Sequence, residues 1–212
     1  MTRPLIAVLD YGIGNLHSAQ KALEHEGADA RLTADAGLIA DADGVVLPGV
    51  GAFGACMSSL RVAGLEGPAH DAAASGRPFL GICVGMQMLF TKSEEDEGAA
   101  GLDVIPGTVT WIPTGTPPMV KIPQMQWNRL EIRDPDEPML RNLGDEPYVY
   151  FVHSLHGVPD DEAMVAATVE YGSTINAAFR RDNVFAVQFH PEKSSRPGLA
   201  LLANFVDVCR VG

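Results

Sequence analysis

Apolar positions follow two rhythms along the chain, and the change between them predicts its architecture. Leu5–Leu9 reads LIAVL, a short unbroken apolar run of the kind found in a strand buried on both faces. Residues 16–26 repeat apolar side chains at helical spacing, with Leu16, Ala19 and Leu23 on one face and Gly27 as the stop. A second strand is predicted over 30–33. A third, GVVLPG at Gly44–Gly49, runs into a glycine-rich loop. A helix over 65–75 ends at Gly76, a strand follows over 78–82, and another helix over 84–91. Strands alternating with helices point to a parallel sheet with helices on both faces.

After about residue 98 the rhythm shortens. Residues 108–112, 130–132, 148–152, 165–171, 175–180 and 184–189 read as strands joined by turns, so the second half is richer in antiparallel sheet. Helical spacing returns only after Pro197, where Leu199, Leu202, Phe205 and Val206 share a face. The acidic clusters at 94–97 and 134–137 read as solvated loops. A length of 212 residues without repeats or a low-complexity linker suits one domain over 1–212.

Charge removes whole classes of partner. Asp and Glu number 27 against 15 Lys and Arg, a net charge of −12 that repels nucleic-acid phosphates and anionic membranes. No apolar run reaches the ~18 residues needed to span a bilayer. The first apolar run is too short for a secretory leader, so a cytoplasmic protein is expected. Three cysteines, Cys56, Cys83 and Cys209, stand far apart with no CxxC pair, which suggests neither a disulfide framework nor a structural zinc.

Of the three, Cys83 has the setting of a nucleophile. Gly81-Ile82-Cys83-Val84-Gly85 lies between an apolar strand and a helix, the pattern of a nucleophile elbow. Glycines two residues either side remove Cβ atoms where chains must pass closely. Exposed N–H groups at the helix start favour a thiolate. Cys56 and Cys209 sit in apolar helical patterns and read as buried structural thiols. A thiolate needs a base. Among six histidines, His190 ends an apolar strand in Gln188-Phe189-His190-Pro191-Glu192. In extended chain i and i+2 share a side, so Glu192 can orient the imidazole. Leu47-Pro48-Gly49-Val50-Gly51 supplies backbone N–H groups that can face an oxyanion together with the N–H of Val84. A phosphate-cradling reading of this loop lacks both the Lys-Ser/Thr and the acidic residue that it needs. The residues alone reach Cys-His-Glu acyl transfer with the substrate open.

Together LPGVGAF, GICVGMQ and QFHPEKS resemble the class I, triad-type glutamine amidotransferases. DYGIGNL at 10–16 and YFVHS at 150–154 make the chain most similar to the glutaminase subunits of imidazole glycerol phosphate synthases. The resemblance spans most of the chain. It implies a three-layer α/β sandwich of flavodoxin-like type, with a mostly parallel sheet and antiparallel additions in the C-terminal half. Cys83 would be the nucleophile, His190 the base and acid, and Glu192 its orienter. Val50, Gly51 and Val84 would form the oxyanion hole. Gln87 and Glu95 would grip the amino-acid end of glutamine, with backbone at Ser154 and Leu155 holding its carboxylate. No cofactor or metal is implied. Ammonia would pass to a (β/α)₈ cyclase subunit, with Asn15, Trp127, Tyr150 and Lys193 facing that partner. A glutaminase serving another synthase and a non-catalytic flavodoxin-like module are the rival readings.

One segment departs from the family pattern. Pro-His-Met-Gly-Trp-Asn becomes Pro123-Gln124-Met125-Gln126-Trp127-Asn128, and the aromatic residue after His-Ser becomes Leu155, followed by His156. Because Gln avoids the left-handed region that glycine tolerates, a negative φ is expected at Gln126.

Overall fold

A computed structural model describes residues 2–13, 16–114 and 120–210. The first half runs β1 (Leu5–Leu9), α1 (Leu16–His25), β2 (Asp29–Thr33), α2 (Ala36–Asp41), β3 (Gly44–Gly49), α3 (Phe53–Val62), α4 (Glu66–Ala74), β4 (Phe79–Cys83) and α5 (Val84–Gln87). Strands then dominate: β5 (Phe90–Ser93), β6 (Asp96–Ala100), β7 (Ile105–Trp111), β8 (Gln124–Arg129) and β9 (Glu131–Ile132). The chain continues through β10 (Tyr148–His153), β11 (Leu155–Pro159), β12 (Val165–Glu170), β13 (Thr174–Arg181) and β14 (Val184–Val187) to the closing helix α6 (Ser195–Cys209).

Eight strands form the main sheet in the order β2-β1-β3-β4-β14-β13-β12-β9. The first five are mutually parallel, and β13, β12 and β9 extend the sheet antiparallel. The apolar runs of β3, β4 and β14 are buried at every position, as two covered faces demand. The chain leaves β1 toward β2, then crosses back to β3. With right-handed crossovers this reversal puts α1 and α2 on opposite faces. α1 packs against α6 and α2 against α4, giving three layers. A four-stranded sheet, β11-β7-β5-β6, docks where Phe90 meets Phe179 edge-on at 5.2 Å. Gly157 makes room for this contact, since a Cβ there would lie 2.3 Å from the Phe90 ring. A two-stranded ribbon, β8 with β10, completes the fold. No helix among the described residues is long and apolar enough to cross a membrane.

Several expectations are corrected. The helix after the elbow stops at Gln87 rather than near 91, because the chain turns and enters β5 at Phe90. The cluster at 94–97 is exposed, as expected, but its turn is tied down as the tip of the β5–β6 hairpin: Glu94 accepts from Trp111 N at 3.0 Å and Glu95 from Phe53 N at 2.7 Å. In the second cluster Glu137 is buried, pairing with Arg180 at 3.2 Å and accepting from Met139 N. His190 and Glu192 are joined through a one-turn 3₁₀ helix, Pro191–Lys193, rather than along an extended strand. Helices α2 and α3 and strands β5, β6, β8 and β11 carry weaker or shorter patterns than the runs that predicted the rest.

Candidate active site

The carboxyl ends of β3, β4 and β14 lie side by side, beside the point where strand order reverses, the place where open α/β sheets bind ligands. Each end delivers one part of the site. β4 ends in Cys83 with φ 55° and ψ −116°, a conformation that costs a non-glycine residue ~1–3 kcal/mol. Close packing holds it there. A Cβ on Gly85 would lie 1.9 Å from Leu47 O, and one on Gly81 would lie 3.0 Å from Met86 Cα. Gly85 is thus required by β3, and Gly81 sits tightly against the elbow itself. With four residues, α5 offers N–H groups at the elbow but little aligned dipole.

β14 leads into His190, which is 3% exposed. Its Nδ1 lies 2.8 Å from Glu192 Oε1, and the Glu192 side chain is equally buried. Burial disfavours the imidazolium. The neighbouring Cys83 sulfur and the hydrogen-bonded Glu192 carboxylate outweigh it, raising His190 to about 9. The ring is therefore protonated beside the sulfur at neutral pH. Its backbone is fixed as well: His190 N donates to Tyr150 O at 3.1 Å, Ser194 Oγ donates to His190 O at 2.6 Å, and Tyr150 N donates to Ser194 Oγ at 2.9 Å.

The loop after β3 closes the site. Val50, Gly51, Cys83, Val84 and His190 line one pocket of about 420 Å³. Gln87, Glu95, Ser154 and Leu155 line it too, so every residue expected to form the oxyanion hole or grip substrate is brought together. Lys193, expected at the partner interface, also lines this pocket. Gln188 is a residue that the sequence pattern did not single out. It accepts from Gln87 Nε2 at 3.0 Å and lies 3.8 Å from Cys83 Sγ through its own Nε2. Its position two residues before His190 is the available signal, since alternate residues share a side.

His153 stands in the sequence only as part of the YFVHS motif. It is buried, with Nδ1 2.7 Å from Leu155 O and Nε2 2.8 Å from the Gln124 amide. Burial pushes it down to about 4, against the pull of the Leu155 carbonyl, so the ring is neutral. Its one proton belongs on Nδ1, because a carbonyl only accepts. Nε2 then accepts, which turns the Gln124 NH₂ toward it and gives that otherwise unpartnered buried group a bond. Gln124 thus anchors the ring beside the Ser154–Leu155 backbone. Gln126 sits in β8 opposite Phe151 with no positive φ, as expected. Trp127 and Tyr150 face each other across the ribbon with ring centroids 6.0 Å apart. Met125, Trp127 and Tyr148 on that face are 62%, 46% and 48% exposed. Asn15 lies outside the described residues.

A strained cysteine at a strand–helix elbow, a buried His–Glu pair and a glycine loop on adjacent parallel strands define a cysteine amidotransferase arrangement. Residues 7–209 match the family described as Glutamine amidotransferase class-I, and the chain belongs to that family. It is 53% identical over 204 residues to the imidazole glycerol phosphate synthase subunit HisH of Synechococcus elongatus, covering 96% of this chain and 93% of that protein. The HisH subunit of Syntrophotalea carbinolica is 49% identical over 207 residues, covering 96% of this chain and 100% of that protein. Among solved structures, a putative GMP synthase component from Thermoplasma acidophilum superposes with a TM-score of 0.73 at 20% identity, over 100% of this chain and 96% of that one. PurLQS from Thermotoga maritima gives a TM-score of 0.74 at 21% identity, covering 97% and 99%. At such identities the last two speak for the fold alone.

Proposed function

We propose that this chain, as one domain, hydrolyses glutamine to glutamate and ammonia as the glutaminase subunit of an imidazole glycerol phosphate synthase, in histidine biosynthesis. The observation that carries the reading is Cys83 and His190 together in the 420 Å³ pocket, with buried Glu192 behind the imidazole, in a chain about half identical to HisH subunits. The Cys83 thiolate attacks the side-chain amide carbon, and the oxygen gains the negative charge, facing N–H groups of the Val50–Gly51 loop and Val84. His190 gives its proton to the leaving nitrogen, which departs as ammonia. Water then attacks the γ-glutamyl thioester, His190 takes a proton from it, and glutamate leaves as the thiolate re-forms. Glu192 holds the ring and balances its charge throughout. Gln87 and Glu95 hold the amino-acid end of the substrate, with Ser154 and Leu155 backbone at its carboxylate.

Ammonia released into water would protonate and lose its nucleophilicity, so a cytoplasmic cyclase subunit of (β/α)₈ form receives it directly. The exposed Met125–Trp127–Tyr148 face suits such a partner. The reading is tested by reacting the protein with the electrophilic glutamine analogue 6-diazo-5-oxo-norleucine and mapping the adduct. One adduct, on the peptide holding Cys83 and suppressed by excess glutamine, is expected. Labelling at Cys56 or Cys209, or labelling indifferent to glutamine, would contradict it.

A further inference from the structure

Two buried side chains outside the triad reach the backbone of the loop after β3. Tyr11 Oη donates to Pro48 O at 2.6 Å. Cys56 Sγ donates to Val50 O at 3.2 Å. They arrive from different elements, Tyr11 from the turn after β1 and Cys56 from within α3. The Tyr11 hydroxyl also lies 3.7 Å from the Met88 sulfur, so its position is fixed from the elbow side as well. Peptide units are planar, so fixing Pro48 O fixes the Pro48–Gly49 plane, and fixing Val50 O fixes the Val50–Gly51 plane. Between them lies the Gly49–Val50 peptide, which carries the Val50 N–H.

We propose that Tyr11 and Cys56 are positioning residues for glutamine hydrolysis: they clamp the peptide planes on both sides of the Val50 N–H and so set that donor against the developing oxyanion. The inference rests on the proposed glutaminase reaction. Neither side chain lines the pocket, so each acts through the backbone it holds. The loop needs holding, because Gly51 has φ +92° and is exposed, and glycine adds little stiffness of its own. On the other side the loop is already tight: a Cβ on Gly49 would lie 2.6 Å from Gly85 N and 3.0 Å from the Tyr11 hydroxyl. The donors also suit the task. Burial pushes both the Cys56 thiol and the Tyr11 phenol above their ordinary values, so both keep their protons and donate across the neutral range.

The test compares Cys56→Ala, Cys56→Ser and Tyr11→Phe, each as the full chain in complex with the cyclase subunit, by steady-state glutamate release. Loss of a whole oxyanion donor costs ~10²–10³-fold in kcat. Loosening one should cost less, so about a tenfold fall in kcat is expected for Cys56→Ala and for Tyr11→Phe, with KM within about twofold. Cys56→Ser should keep most of the rate, because its hydroxyl donates to the same carbonyl. Alkylation of Cys83 by chloroacetamide, a step that forms no oxyanion, should proceed at the wild-type rate in all three, which also reports an intact elbow. Wild-type kcat in Cys56→Ala and Tyr11→Phe, equal losses in Cys56→Ala and Cys56→Ser, or a rise in KM in place of the fall in kcat would overturn the clamp and leave the glutaminase reading standing. Absence of glutamine turnover in the wild-type complex would overturn both.

Discussion

At the scale of single residues, chemistry and burial make opposite demands on the histidines. His190 is held up at about 9 by its partners, while His153 and His156 are pushed down to about 4, chiefly by burial. The neutral pair stabilises the fold fully above pH 6.5, and that contribution is lost as pH falls from there through about 4. The contribution of His190 is complete below 6.5 and lost as pH rises through about 9. Stability should therefore peak near pH ~6.5, each shift being worth up to ~3 kcal/mol. Urea midpoints across pH 4–9 check this, and His156→Gln, which replaces a buried ring whose Nδ1 has no partner, should flatten the acid limb. A midpoint that climbs steadily toward pH 4 would contradict the assignment. In catalysis, His190→Ala should lower turnover by ~10²–10⁴-fold and Glu192→Gln by less, both read from glutamate release. Cys209→Ser should leave turnover intact, since that thiol, on the last residue of α6, packs beside Gly44 and does not line the pocket.

At the scale of elements, the elbow and the β8–β10 ribbon carry the account. Gly85→Ala would place a Cβ 1.9 Å from the Leu47 carbonyl, so either β3 or Cys83 must move. A loss of ~1–3 kcal/mol in unfolding free energy is expected, together with loss of turnover. Trp127→Ala should behave in the opposite way. Its side chain is nearly half exposed, so the thermal midpoint should barely change, while affinity for the cyclase falls at least about tenfold in a titration. The ribbon also reaches the base, because Tyr150 backbone bonds both His190 and Ser194. Elements differ sharply in how far the chain announces them. β1, β3 and β4 are short, mostly apolar runs, and α1 has both its apolar stripe and Gly27 at φ +93° as a stop. β8 reads QMQWNR, largely exposed, and its pairing with β10 joins residues from Arg129–Tyr148 to Gln124–His153, too far apart for local pattern to encode. The elbow helix is predicted too long for a related reason. Met88, Leu89 and Phe90 continue its apolar character, yet all three are buried by tertiary packing and the last begins a strand.

At the scale of the whole molecule, the parallel sheet gathers three motifs from distant parts of the chain onto three neighbouring strand ends. Those motifs are legible one by one, as a glycine loop, an elbow and a histidine with its carboxylate. Their convergence and the clamps of Tyr11 and Cys56 belong to the fold and have no local signature. A lone, efficient glutaminase would waste glutamine, so control by the partner is expected at this scale. The isolated chain should turn over slowly even with the triad assembled. Cyclase with an acceptor analogue should raise the rate by ~10²–10³-fold, the order that one oxyanion donor is worth. Equal rates with and without the partner would remove that control. The central claim is narrower: Cys83 forms the thioester from which ammonia is released. Its most direct measurement is glutamate release and cyclase product formation by the Cys83→Ala complex, supplied first with glutamine and then with ammonium salt. No glutamate and no product are expected from glutamine, with product restored by free ammonia. Glutamate release by the Cys83→Ala complex at a rate near wild type would contradict that claim.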